Sequence, residues 1–331
     1  IAMVVLVIGG LCVPIALMAC SFLGVWAIKG SPLLASKLLS LAASNTISSY
    51  YFGVVPLFVL MGFIVAESGI GRDAYDVANS AFRKLKGGLG VGTVGANAIF
   101  AAITGISIAS AAVFTKIAVP EMVRHGYTKR FATGIVAGSS VLGMLIPPSL
   151  LLILYGVLTE QSIGDLFLAG VLPGILMAVL FALGVIAMAT FFPGFTGTPQ
   201  EGDTKSLSGW EVTKKALPIA ALILLVIGGI YGGVFTPVEA GAIGALILGL
   251  LKRTLDWRSL WNVLVETGLV TASVCFLIIA AQMYSRMLAF SGVPAGFGNL
   301  VATAEIGIWG VLLLYIAVVI AMGMILDSSS I

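Results

Sequence analysis

The chain has 331 residues, of which 60% are hydrophobic and only 9% are charged, and its mean hydropathy is +1.15. Soluble domains carry about 25% charged residues, so this composition predicts an all-α polytopic membrane protein with apolar runs of the ~20 residues needed to cross a bilayer. The net charge of +3 is too small to suggest nucleic-acid binding, and three cysteines within apolar segments indicate neither a disulfide framework nor a metal site.

Apolar segments follow one another along nearly the whole chain. In order they run approximately over Ile1–Val13, Ile15–Ile28, Leu38–Val65, Val91–Val119, Phe131–Leu158, Phe167–Phe192, Ala216–Phe235, Ala240–Leu251, Leu260–Phe290 and Ile306–Leu326. A polar insertion at 196–215 is rich in Gly, Thr, Ser and charge. Such composition predicts a linker, which divides the chain into two halves.

The two halves resemble each other at a constant offset of 223 residues, as from Ser68 to Ser291. The pairs related in this way are Gly9-Gly10 with Gly232-Gly233, Pro14 with Pro237, Lys29 with Lys252, Ser36 with Ser259, and Ser68-Gly69 with Ser291-Gly292. We therefore predict a first repeat at 1–195, a cytoplasmic linker at 196–215 and a second repeat at 216–331. Within the first repeat, 1–66 would form scaffold helices, and 91–158 would form a transport hairpin and a broken helix. The second repeat stops at its own polar tip, so we expect a complete one to continue for roughly 80–100 residues.

Charge predicts the sidedness of these segments. Basic residues cluster at 72–86 and at 124–130, on either side of Val91–Val119. If that segment is a re-entrant hairpin with its tip at Gly105, both clusters face the cytoplasm, as the positive-inside rule requires. The second hairpin then enters from the opposite side. Two inverted halves, each with a broken polar element, are typical of secondary transporters.

Two polar breaks interrupt apolar sequence in the first half. The first contains Thr104, Gly105, Ser107 and Ser110, and the second contains Ser139, Ser140, Gly143, Pro147, Pro148 and Ser149. Interrupted backbone persists at membrane depth only where it is buried in protein or lines a polar cavity. Carbonyl groups freed by a break, together with hydroxyl groups, suit a hard cation such as Na⁺.

A structural interpretation stands beside each of these functional ones. The Ser and Thr hydroxyls can bond back to helix carbonyls, Gly can allow close packing, and the Pro pair can serve only as a kink. Asp327, Ser328 and Ser329 fall at the equivalent second tip, where an acid is either an ion ligand or a helix end at the surface. Arg286 is either a contact for a substrate carboxylate or a side chain that snorkels to lipid headgroups.

The residues also resemble a known family. The run from Ser139 to Ser149 is similar to the signature of the large membrane subunit of tripartite ATP-independent periplasmic (TRAP) transporters. Further similar motifs follow in the family's order at 159–163, 169–174, 236–240 and 323–327. The family often has Ser-Gly-Ser-Ser at the first tip, where this chain has Thr-Gly-Ile-Ser, and Asp-Pro-Thr at the second, where this chain has Asp-Ser-Ser.

This resemblance implies an elevator-type, sodium-coupled importer in a bacterial or archaeal cytoplasmic membrane. It implies two partners, a small four-helix membrane subunit and a periplasmic substrate-binding protein. The substrates it implies are organic anions such as C4-dicarboxylates or sugar acids. The residues named at the tips would bind sodium and substrate, and no cofactor beyond the coupling ion is expected.

Other functions compete with this one. A stand-alone sodium:dicarboxylate symporter of similar inverted-hairpin fold would need no binding protein. An intramembrane enzyme is disfavoured because the one histidine, His125, lies in a loop, which excludes a His-based metal site or a Ser-His pair at membrane depth. No Walker A pattern is present, so the chain is not expected to be an ATPase. A passive channel would not need inverted hairpins and would conduct without an ion gradient.

Overall fold

The computed structural model describes residues 2–196, 208–251, 256–303 and 307–324, and within these ranges the regular elements are helices. The first eight are α1 (Ala2–Ile8), α2 (Val13–Lys29), α3 (Pro32–Ile47), α4 (Val54–Glu67), α5 (Ile70–Phe82), α6 (Gly88–Thr104), α7 (Ser107–Arg124) and α8 (Lys129–Ser140). The others are α9 (Leu142–Leu145), α10 (Leu150–Thr159), α11 (Ile163–Phe191), α12 (Gly209–Tyr231), α13 (Pro237–Leu251), α14 (Trp257–Ser291), α15 (Val293–Thr303) and α16 (Ile308–Gly323). Short 3₁₀ turns occur at Tyr50–Gly53 and Pro193–Phe195.

Several of these segments meet the length and hydropathy expected of membrane spans. Four do so singly: Lys129–Thr159, Ile163–Phe191, Gly209–Tyr231 and Trp257–Ser291. A fifth is possible if α4 and α5, which bend by 67° at their junction, form one broken span. The all-helical polytopic membrane fold predicted from composition agrees with these spans.

Side chains at the helix starts explain where several helices begin. Ser31, Thr128 and Ser162 each accept a hydrogen bond from the backbone amide three residues ahead, which satisfies an otherwise unpaired donor of the first turn. Before α13, the Glu239 carboxylate accepts bonds from the Thr236 amide at 2.8 Å and the Thr236 hydroxyl at 2.9 Å. This acid therefore has a structural role in the first turn of α13, where it pairs with the residue that precedes the helix.

The chain divides into two compact units, 1–52 with 273–331 and 53–272. In the first unit, Val25, Ala35 and Leu39 form a buried cluster against which Met283 and Met287 pack. A Cβ at Gly24 would lie 2.8 Å from the Met287 Cγ atom, so a glycine is needed for α2 and α14 to approach closely there.

The second unit is built around the hairpin of α6 and α7. Phe100 and Phe114, one from each helix and both fully buried, meet edge to face with ring centroids 5.5 Å apart. Such pairs stabilise by about 0.5–1.5 kcal/mol beyond the area they bury. The α5 helix packs along the hairpin, since a Cβ at Gly71 would lie 2.5 Å from Val113 Cγ1.

Some predicted segment limits were wrong. The run predicted as one apolar segment, Leu38–Val65, is split into α3 and α4 by the 3₁₀ turn. Pro56 gives the physical reason, because proline lacks an N–H and is accommodated in the first turn of a helix rather than its interior. The structure also places α5 and α15 in stretches that were assigned no apolar segment, and it begins α12 at Gly209, inside the predicted linker. The repeat limits themselves remain a prediction.

Candidate functional site

The two predicted polar breaks meet in the second unit. The helix of α6 ends at Thr104, Gly105 takes a left-handed conformation with φ of +63°, and α7 begins at Ser107. The second break lies between α9 and α10, at Ile146–Ser149. The sequence predicted both interruptions, and the structure confirms their positions.

One backbone hydrogen bond joins the two breaks directly. The Leu150 amide donates to the Gly105 carbonyl at 3.0 Å. A Cβ at Gly105 would lie 3.0 Å from the Pro148 carbonyl carbon and 3.3 Å from Ser149 Cα. Only glycine fits, both because of its positive φ and because the opposing backbone leaves no room for a side chain.

Three other helices enclose this contact through glycines of their own. A Cβ at Gly143 in α9 would lie 3.0 Å from the Ser107 amide nitrogen, and one at Gly62 in α4 would lie 2.9 Å from the Thr104 carbonyl oxygen. On α11, a Cβ at Gly170 would lie 2.9 Å from the Leu145 carbonyl oxygen, and one at Gly174 would lie 2.7 Å from Ile146 Cγ1. The backbone of both breaks is therefore packed in protein, as interrupted helices require at membrane depth.

Most of the hydroxyl groups predicted at the site satisfy helix carbonyls in this structure. Thr104 Oγ1 donates to Phe100 O at 3.0 Å, Ser140 Oγ donates to Ala137 O at 2.8 Å, and the Ser149 hydroxyl donates to the Met144 carbonyl. These bonds fit the structural interpretation of the hydroxyls. They leave hydroxyl lone pairs available, because each oxygen can also accept.

Ser110 differs from the others. It is fully buried on α7, and its hydroxyl has no hydrogen-bond partner among the residues that the structure describes. A buried hydroxyl without a partner costs free energy, so the position calls for an additional ligand or a residue outside the described ranges. The neighbouring Ser107 is also buried, at 9% exposure.

Asn97 is a site residue that the sequence reasoning missed. It lies fully buried on α6, and its amide nitrogen donates to Ser139 Oγ at 2.7 Å and to Thr93 O at 3.3 Å. Ser139 in turn donates to Ile135 O at 2.6 Å. The Asn97 Oδ1 atom has no donor within the described part of the chain. An isolated amide within the Val91–Val119 run was the available signal.

The structure thus brings Thr104, Gly105, Ser107, Gly143, Pro148 and Ser149 together, with Pro147 against α11 and Ser110, Ser139 and Ser140 on the adjoining helices. Asp327, Ser328 and Ser329 lie outside the described residues. Arg286 is exposed on α14 in the other unit, and its contact with substrate remains a prediction. Neither break contains a charged side chain, so its own chemistry consists of neutral oxygens and helix ends.

Sequence similarity to known proteins extends over most or all of the chain. The family model described as "Tripartite ATP-independent periplasmic transporter, DctM component" matches residues 1–331. The chain is 32% identical, over 298 residues, to the C4-dicarboxylate TRAP transporter large permease protein DctM of Pseudomonas aeruginosa, an alignment that covers 88% of this chain and 69% of that protein.

Two further relatives are larger proteins. The isethionate TRAP transporter permease protein DctMQ of Oleidesulfovibrio alaskensis is 33% identical over 261 residues, or 76% of this chain and 40% of that protein. The sialic acid TRAP transporter permease protein SiaT of Haemophilus influenzae is 28% identical over 290 residues, or 86% of this chain and 46% of that protein. The chain spans less than half the length of both.

Proposed function

Because the chain belongs to the DctM-component family of tripartite ATP-independent periplasmic transporters, we propose that it imports a small organic anion driven by a sodium gradient. The observation that supports this most directly is the backbone contact between two interrupted helices at Gly105 and Leu150. Permeases of this family lie in the inner membrane, and the described helices include spans of the required length.

Sodium binds at the first tip in this proposal. The C-terminal end of α6 carries the negative pole of a 17-residue helix, which favours a cation. The hydroxyl groups of Thr104, Ser107 and Ser110 supply further oxygen ligands of the kind a hard cation prefers. The unpartnered Ser110 hydroxyl supports this assignment, because an ion would satisfy its lone pairs.

The substrate anion binds beside the same tip. The α7 helix has 18 residues, and its N-cap residue, Ile106, makes no side-chain hydrogen bond to the first turn. Backbone N–H groups at such an N-terminus favour a carboxylate. The relatives named for C4-dicarboxylate, isethionate and sialic acid suggest the class of substrate. A carboxylate substrate such as a C4-dicarboxylate or a sugar acid would place opposite charges on the two sides of the tip.

The transport domain moves as an elevator in this proposal. It comprises 91–158 and the equivalent part of an inverted second repeat, whose tip residues Asp327, Ser328 and Ser329 complete the ion sites. Left-handed glycines recur at the repeat offset, with φ of +90° and +67° at Gly10 and Gly233, and +77° and +71° at Gly69 and Gly292. These recurrent chain reversals support the repeat.

Two partners complete the proposed importer. The isethionate relative carries a name that joins the M and Q components in one permease, which supports a small membrane subunit, separate or fused. The tripartite family name supports a periplasmic binding protein that delivers the substrate. The binding protein would dock on the face predicted to lie outside.

Uptake into proteoliposomes tests the proposal. The full-length subunit and its small partner would be reconstituted with the binding protein outside, and labelled dicarboxylates and sugar acids would be supplied with a sodium gradient, a proton gradient or none. We expect uptake only with sodium and binding protein, lost in Ser107→Ala and retained in Ser40→Ala, a control at an exposed serine of the other unit. Uptake without the binding protein would favour the stand-alone symporter, and uptake without sodium would refute the role of the tips.

A further inference from the structure

An open apolar groove lies between α8 and α11 and is lined by residues other than those named at the two breaks. It has a volume of about 230 Å³, and we name it the acyl groove. Its main lining residues are Phe131, Gly134 and Gly138 on α8 and Phe181, Gly184 and Met188 on α11. A Cβ placed at Gly134 or Gly184 would have no atom within 4 Å. The groove therefore exists because glycines leave the space between the two helices unfilled.

The position of the groove determines what kind of molecule can fill it. Both walls belong to segments with the length and hydropathy of membrane spans, Lys129–Thr159 and Ile163–Phe191. Two leucines of α11, Leu176 and Leu180, are more than half exposed. At membrane depth, hydrocarbon replaces water as the solvent of such surfaces. An acyl chain therefore fits this groove, because it restores the contacts that an empty space would forfeit.

Positive charge lies at one end of the groove. Arg130 is exposed one helical turn before Gly134 and two turns before Gly138, so these three residues share one stripe of α8. Lys129 is its exposed neighbour. Arg124 is exposed at the end of α7, just before the loop that leads to α8. Basic residues at the end of a groove between membrane helices suit the phosphate of a lipid headgroup.

Contacts at this end hold the two helices in register. The Thr128 amide donates to the Phe195 carbonyl at 2.9 Å, and the rings of Phe131 and Phe195 lie 5.8 Å apart. The start of α8 and the turn after α11 are thus fastened together. Because Phe131 also lines the acyl groove, these contacts fix the part of the groove that lies next to Arg130 along α8.

We propose that a phospholipid with an anionic headgroup binds here, with one acyl chain in the acyl groove and its phosphate at Arg130 and Lys129. The apolar groove selects for a chain, and the two cations select for net negative charge over a zwitterionic headgroup. None of the residues that line it belongs to the proposed sodium and substrate site, although Gly138 adjoins Ser139. The lipid site does not depend on the transported substrate.

Native mass spectrometry of the full-length protein tests this site. The protein would be released from detergent in the presence of dioleoyl phosphatidylglycerol, dioleoyl phosphatidylcholine or glycerol phosphate alone. We expect phosphatidylglycerol to be retained at least fivefold more than phosphatidylcholine, and glycerol phosphate not to be retained. Arg130→Gln should remove most of this preference, whereas Lys37→Gln, a control at an exposed basic residue of the other unit, should leave it unchanged.

A second pair of variants tests the groove itself. Gly134→Leu should fill the space and lower the retention of phosphatidylglycerol at least threefold, whereas Gly228→Leu, an equally open glycine on α12, should not. Circular dichroism and size-exclusion profiles would verify folding, and Gly134→Ala provides a smaller filling group if the leucine variant fails to fold. Equal retention in the two glycine variants, equal retention of the two lipids by the wild type, or binding of glycerol phosphate alone would overturn the proposal.

Discussion

Gly105 stands where two backbones touch, and its lack of a side chain has a measurable consequence. A left-handed conformation costs a residue with a Cβ about 1–2 kcal/mol, and here the Cβ would also displace the Pro148 carbonyl. We expect Gly105→Ala to lower the free energy of unfolding by about 2 kcal/mol or more and to abolish uptake. Gly228→Ala, an open helical position, should be neutral or stabilising by up to about 1 kcal/mol.

Denaturation in mixed micelles would compare the two glycine variants. If Gly105→Ala proved as stable as wild type, the contact between the two breaks would have to form in some other way. Uptake measured beside stability separates a misplaced tip from an unfolded protein.

The hydrogen bond between Asn97 and Ser139 gives a second prediction at this scale. Asn97→Ala removes the donor and should lower the free energy of unfolding by about 1–3 kcal/mol. In a double-mutant cycle with Ser139→Ala, the coupling should be about 0.5–3 kcal/mol, as for residues that share one hydrogen-bond network. Additive single effects would show that the two side chains act independently.

Individual residues also show which features of the candidate site can be predicted from the sequence and which cannot. The glycine and proline pattern identified Gly105 and Pro147, because those residues impose backbone conformations that need no partner. Asn97 was missed because its significance depends on Ser139, a residue far along the chain. An amide alone in an apolar helix gives no indication of which hydroxyl it meets.

At the scale of the helix, α11 serves as the wall against which the second break packs. A Cβ at Gly174 would lie 2.7 Å from Ile146 Cγ1, whereas one at Gly164 of the same helix would lie 3.8 Å from its nearest neighbour. Overpacking of this kind costs about 1–3 kcal/mol. We expect Gly174→Ala to destabilise by that amount and to slow uptake, with Gly164→Ala unchanged in both, as measured by denaturation and proteoliposome transport.

An ion-pair cluster fastens α12 to α5. The Lys215 ammonium lies 3.3 Å from Asp73 Oδ1 and also bonds the Asp76 carboxylate. Partly exposed pairs stabilise by about 0.2–1 kcal/mol each and weaken as salt screens them. Lys215→Met should therefore lower the melting temperature by a few degrees in low salt and by less in high salt. The effect should shrink in an Asp76→Asn background, and an identical loss there would show that the lysine stabilises by packing alone.

Elements of different kinds were predictable to different degrees. Long uniform apolar runs such as α11 and α14 were found within a few residues of their ends, since their hydropathy alone sets their limits. The α5 helix was missed because its polar and apolar residues are mixed, and it becomes evident only when one face packs on the hairpin. The division of α3 from α4 was missed because the turn at Tyr50–Gly53 is largely aromatic, so the hydropathy does not fall enough there to mark it.

At the scale of the whole molecule, the elevator proposal predicts that the tip is exposed to opposite sides in turn. Ile108, next to the buried Ser107, is 76% exposed, so a cysteine there would report access. In a background lacking Cys12, Cys20 and Cys275, we expect a membrane-impermeant maleimide to label Ile108→Cys several-fold faster from one side. Adding sodium and substrate should shift labelling towards the other side.

A cysteine at Leu33, an exposed residue of α3 in the other unit, supplies the matched control. Its labelling should be indifferent to sodium. Labelling of Ile108→Cys from one side only, under every condition, would argue for a fixed site with local gates.

The backbone contact between Gly105 and Leu150 finally bears on how this protein can diverge in evolution. Because main-chain atoms make the contact on both sides, flanking side chains can be exchanged without loss of the joint, provided that position 105 keeps its hydrogen atom in place of a Cβ. Thr-Gly-Ile-Ser and the similar Ser-Gly-Ser-Ser would then allow the same backbone contact. Substitutions around a retained glycine would leave the backbone contact intact while changing which ions and solutes the neighbouring hydroxyl groups bind.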